Sequence, residues 1–111
     1  MQIDELREIV EQTWENRDLL SSEKVVTAIR EVVALLDSGT LRVAEPSAGD
    51  DWKVNEWVKK AVILYFPIQK METIEVGPFE FHDKIALKTG HKEAGVRVVP
   101  HAIARYGSFL E

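Results

Sequence analysis

Leu35-Leu36-Asp37-Ser38-Gly39-Thr40-Leu41-Arg42-Val43-Ala44-Glu45 is the stretch that decides the fold, because the hydrophobic period changes inside it. Ahead of Gly39, Val25, Ile29, Val32, Val33 and Leu36 recur at three- and four-residue steps, the spacing of a one-faced helix. Beyond it, Leu41 to Glu45 alternates apolar and polar side chains, the period of a half-buried strand. Gly39 is the natural stop, since glycine adopts the left-handed conformation that closes a helix at little steric cost. A helix that gives way to a strand so abruptly points to an α+β domain.

Upstream, Ile3, Leu6, Val10 and Thr13/Trp14 form a second helical stripe, with Asp4, Glu5, Arg7, Glu8, Glu11 and Glu15 between them. Asn16-Arg17-Asp18 ends this helix, and Ser21-Ser22-Glu23 offers hydroxyl caps and an early acid for the next. The two read as a helical hairpin, each covering the other's stripe. Trp14 reads as core, with ligand stacking as the alternative.

Downstream, Pro46 to Asp50 breaks the alternation and Trp52-Lys53-Val54 resumes it, giving a hairpin with a loop. Asn55 is placed to cap a third helix, with Trp57, Val58, Ala61, Val62, Leu64, Tyr65 and Phe66 apolar almost all round and Lys59 and Lys60 on the polar face. That helix is expected to be the most buried element and to end at Pro67, which disfavours helical backbone in the residue before it. Thr73 to Val76, a Gly77-Pro78 turn and Phe79 to His82 read as a second hairpin. Lys88 to Lys92 reads as loop, and Val96-Arg97-Val98-Val99 as a strand opened by Gly95 and closed by Pro100. About three helices and short hairpins are expected in all.

A chain of 111 residues, 45% hydrophobic and 30% charged, suits one domain. With no cysteine it excludes a disulfide-stapled module and any thiolate metal site. The longest apolar run, Ala61 to Ile68, falls far short of the roughly 18 residues of a membrane helix, and the first residues lack the basic and apolar regions of a secretory signal. A cytoplasmic protein with no membrane partner is the expectation. Fourteen Lys and Arg against nineteen Asp and Glu, a net charge of -5, argue against nucleic acid as a partner. Residues 1–51 hold five basic and twelve acidic side chains, residues 52–111 nine and seven, so anionic ligands favour the second half. A domain this small has little room for a multi-substrate active site.

No glycine-rich phosphate loop, nucleophile elbow or paired-histidine helix motif occurs. His82 beside Asp83 reads either as a general base with its orienting acid or as two strand neighbours on opposite faces. His91 falls in a loop and His101 after Pro100, so no metal site is expected, and Asp50-Asp51 with Glu45 lacks the ligand spacing of a calcium loop. Arg97 stands apart. A guanidinium among valines can clamp a carboxylate bidentately, or can serve as an edge-strand partner in a structural ion pair. Ile103 to Phe109 spaces apolar residues six apart, either by chance or as one hexapeptide of a β-helix, a coil that would turn Arg105 outward.

Leu35 to Glu45, Trp57-Val58-Lys59-Lys60-Ala61-Val62, Phe81-His82-Asp83-Lys84 and Gly95-Val96-Arg97-Val98-Val99-Pro100 together resemble, in order, the N-terminal part of the tetrahydrodipicolinate N-succinyltransferases of bacterial lysine (diaminopimelate) biosynthesis. The resemblance implies a trimeric enzyme that uses succinyl-CoA as co-substrate, with active sites between left-handed parallel β-helices. It implies that residues 1–98 form the N-terminal α+β domain and 99–109 the start of a truncated hexapeptide-repeat β-helix. Leu110 and Glu111 match the remnant of a common C-terminal tag junction. The implied partners are the protein's own C-terminal β-helix, its trimer mates and a small dicarboxylate substrate. No catalytic residue and no bound cofactor or metal is expected in this stretch, which alone should be inactive. Arg97, in the Gly-x-Arg-Val-Val-Pro segment, is the implied substrate-binding residue. The alternative function is a non-catalytic interaction module.

Overall fold

Each apolar stripe in the sequence becomes a helix face in the computed structural model, which describes residues 1–111. Helix α1 (Ile3–Glu15) buries Leu6, Val10 and Thr13, and α2 (Glu23–Asp37) buries Val25, Ala28, Ile29, Val32, Val33 and Leu36. Helix α3 (Glu56–Ile68) buries Trp57, Val58, Ala61, Leu64 and Tyr65. All three pack on one another, so the expected two-helix hairpin is in fact a three-helix core. The reason lies in α2, whose buried stripe is wider than one neighbouring helix can cover. Leu6, Ile29 and Leu64 have no exposed surface, and each such side chain contributes about 1.5–3 kcal/mol through burial. Thr13 is the one buried polar residue, and its hydroxyl donates to the Ile9 carbonyl at 2.8 Å.

A 3₁₀ turn (Arg17–Ser21) links α1 to α2, opened by the Asn16 side chain, which accepts from the Asp18 N–H. Ser22 stands at the N-cap of α2, yet its hydroxyl makes no capping bond. Helix α3 is not the most buried element, because Ile63 and Phe66 lie on an outward side and are substantially exposed. It also runs through Pro67 to Ile68. In the last turn a proline forfeits one amide bond without disrupting the helix above it.

The end of α2 follows the Schellman pattern. Gly39, at φ +80°, donates to the Leu36 carbonyl at 3.0 Å, and Thr40 donates to that of Leu35 at 2.9 Å. From there the chain enters the first hairpin, β1 (Ala44–Pro46) antiparallel to β2 (Trp52–Val54), with Pro46 opposite Trp52. Strand β1 is shorter than the alternation over Leu41 to Glu45 suggested and starts later, whereas β2 covers the expected Trp52-Lys53-Val54. Asn55 precedes α3 but does not cap it. Its side-chain amide donates to the Arg42 carbonyl at 2.8 Å and to Glu45 Oε1 at 3.4 Å, tying the hairpin to the helix start instead.

The second hairpin pairs β3 (Glu72–Val76) with β4 (Phe79–Asp83) about Gly77-Pro78, where Gly77 at φ +56° supplies the turn's left-handed residue. Cross-strand register puts Ile74, Val76, Phe79 and Phe81 on one face and Thr73, Glu75, Glu80 and His82 on the other. The expected strand over 96–99 does not form: the segment pairs with none of the four strands. Valine-rich composition suits a pleated surface but cannot create a partner.

Residues 104–109 return to the helical core. Tyr106 donates to the Ala86 carbonyl at 2.8 Å, Lys88 to that of Ala104 at 2.9 Å, and Leu87 and Arg105 form an antiparallel bridge between these bonds. Phe109 lies over Gly39, where a Cβ would come within 2.8 Å of the ring. No helix is long and apolar enough to cross a membrane.

Candidate functional site

The second half of the chain carries the groups with capacity for ligand chemistry, and its geometry sorts them. His82 and Asp83, adjacent on β4, are turned apart as strand pleating requires. His82 Nδ1 lies 2.9 Å from the Thr73 hydroxyl, while Asp83 Oδ2 accepts from the Arg105 guanidinium at 2.6 Å. They do not form a base and its orienting acid. Backbone donation from the Lys84 N–H holds the Asp83 carboxyl below the usual carboxylate range, and the charge of Arg105 adds to this. Arg105 is therefore half-exposed and engaged rather than free.

His91 and His101 belong to the loop between residues 88 and 104. His101 has φ +78° and occupies the third position of a turn over Val99-Pro100-His101-Ala102, closed by the Ala102 N–H on the Val99 carbonyl at 3.0 Å. This is the position that demands a left-handed residue in a type II turn. No three His, Asp or Glu side chains converge to hold a metal ion.

Arg97 sits in the same loop, between that turn and a preceding one over residues 90–96, which is closed by Val96 donating to the His91 carbonyl at 2.8 Å. It is exposed, makes no ion pair and donates no hydrogen bond. The structural alternative for this residue, an edge-strand ion pair, is thus absent in both its parts. Beside the loop, Val76, Phe79, Phe81, Leu87, Pro100 and Ile103 surround an open apolar depression of about 310 Å³. Phe79 is 62% exposed and Ile103 57%.

Sequence reasoning passed over a third cluster. Asp37 Oδ1 accepts from Lys88 Nζ at 2.8 Å and from the Gly107 N–H at 2.9 Å, and the same ammonium reaches the Asp37 carbonyl at 2.9 Å. The available signal was an acid in the last residue of a helix, where the macrodipole disfavours negative charge. Nearby, burial raises the phenols of Tyr65 and Tyr106, with the other phenol adding to the first and the Asp37 charge to the second.

Comparison with known proteins gives this geometry its context. Residues 5–68 match the family profile described as tetrahydrodipicolinate N-succinyltransferase N-terminal. The 2,3,4,5-tetrahydropyridine-2,6-dicarboxylate N-succinyltransferase of Coxiella burnetii is 41% identical across 96% of this chain. Those of Pseudoalteromonas translucida and Cupriavidus taiwanensis are 42% and 45% identical across 96% and 95%. The likeness therefore extends past the profile into the half that carries Arg97. The chain spans 42% of the length of each of these relatives. On the match of α1 through α3, the chain belongs to the tetrahydrodipicolinate N-succinyltransferase family and carries its N-terminal domain.

Proposed function

We propose that this chain serves as the N-terminal domain of an enzyme that moves a succinyl group from succinyl-CoA to the amine of ring-opened tetrahydrodipicolinate, with Arg97 binding a substrate carboxylate. The amine nitrogen attacks the thioester carbonyl, an amide bond forms, and CoA leaves as its thiol with the proton the nitrogen gives up. The observation that carries the assignment is the unspent guanidinium of Arg97. It offers a planar donor fork without having to break an existing ion pair, which suits a dicarboxylate.

In this reading succinyl-CoA binding and proton transfer fall to a C-terminal β-helix and to neighbouring subunits of a trimer. Residues 99–109 would lead into that helix, and the enzyme would work in the cytoplasm. Half-exposed Val76, Phe79 and Ile103, which line one depression, support such a partner, since a contiguous apolar face is normally covered. The same face also suits the second reading, a non-catalytic interaction module.

Mixing this chain with a separately produced remainder of the Coxiella burnetii relative separates the two. The enzyme reading expects complex formation and recovery of succinyl transfer, with neither part active alone. Turnover by residues 1–111 alone would contradict it. A complex with no transfer would favour the interaction module.

A further inference from the structure

Residues 88–104 form a loop whose two ends meet. Lys88 donates to the Ala104 carbonyl at 2.9 Å, Tyr106 donates to that of Ala86 at 2.8 Å, and the Leu87–Arg105 bridge lies between them. Inside this neck, no hydrogen bond joins residues 89–103 to the rest of the chain, and the loop's own bonds close only its two turns. Arg97 lies between those turns, so the hydrogen bonds at the neck are the ones that tie its loop to the rest of the chain.

One carboxylate spans that neck. Asp37, the last residue of α2, takes Lys88 from the outgoing arm at 2.8 Å and the Gly107 N–H from the returning arm at 2.9 Å. Lys88 also satisfies the Asp37 carbonyl, one of the acceptors a helix leaves open at its end. The Asp37 side chain is 26% exposed and that of Lys88 14%, so the pair is substantially shielded from water. An aspartate in the last helical position goes against both helix propensity and the macrodipole. Its place is explained by what it holds. The next turn supports the same function, because Gly39 leaves room for Phe109 from the returning arm.

We propose that Asp37 is a positioning residue: through Lys88 and the Gly107 amide it latches the loop that presents Arg97. The assignment of Arg97 to a carboxylate rests on the proposed succinyltransferase reading, whereas the latch rests on the contacts above.

Hydrogen exchange and limited tryptic cleavage of residues 1–111 test the latch in the Asp37→Asn and Lys88→Met variants. Cleavage after Lys92 and Arg97 should accelerate about tenfold, with exchange in α1 and α3 unchanged. Lys88→Arg should restore slow cleavage. Unchanged cleavage in both variants would overturn the latch, as would acceleration accompanied by equal loss of protection in α1 and α3. In a chimera joining this chain to the remainder of the Coxiella burnetii relative, Asp37→Asn should raise the KM for the dicarboxylate about fivefold, with kcat and the KM for succinyl-CoA held. If Arg97→Ala leaves that KM unmoved while Asp37→Asn still opens the loop, the latch stands and the carboxylate assignment falls.

Discussion

Gly39 and Phe109 fit together only because position 39 has no side chain: a Cβ there would lie 2.8 Å from the aromatic ring. The same residue holds φ +80°, so two separate constraints meet at the end of α2.

Gly39→Ala should therefore cost about 2–3 kcal/mol, combining roughly 1–2 for a left-handed alanine with displacement of a half-exposed ring. Chemical denaturation separates the parts. In a Phe109→Ala background the same substitution should cost only the backbone share, about 1–2 kcal/mol. An equal cost in both backgrounds would show that the ring does not press on position 39.

The helix stripes were legible in the sequence because their period is local, and Leu6, Ile29, Val32, Val33 and Leu36 all lie where their spacing placed them. Both hairpins were legible for the same reason, with β3 and β4 turning at Gly77-Pro78. What local pattern could not supply was partnership. Val96 to Val99 has strand composition but pairs with no strand, and Asn55, whose oxygen could cap α3, instead donates its side-chain amide to the Arg42 carbonyl and Glu45. Arg97 was legible as a candidate from its residue type and setting, whereas its place in a loop closed by Asp37 depends on contacts between residues far apart in sequence.

The Asp83 carboxyl should titrate below the usual aspartate range by NMR, and Arg105→Ala should bring it only part of the way back. The first cause of its depression, the Lys84 amide, remains in that variant. The sign follows from a lowered folded-state pKa. Its stabilising contribution is present above the unfolded value of about 4 and fades as pH falls through the folded one. Full return to the ordinary value in Arg105→Ala would show that the arginine alone is responsible.

Both tyrosines of the chain have raised phenols, so an ultraviolet phenolate titration should contain no normal component. A raised pKa means that the stabilisation is complete below the unfolded value of about 10 and is lost as pH rises through the folded one. Asp37→Asn should lower the Tyr106 midpoint in part and leave burial as its main cause. A phenol titrating at or below the ordinary value in the folded protein would contradict this environment.

The central claim, that Arg97 binds a carboxylate of the acyl acceptor, is tested most directly by the KM for tetrahydrodipicolinate in the chimera described above, compared between the parent and Arg97→Ala. Loss of a charge-assisted contact worth about 1.5–3 kcal/mol predicts a rise of roughly ten- to a hundredfold, with the KM for succinyl-CoA unchanged. An unaltered KM for the dicarboxylate would contradict the account.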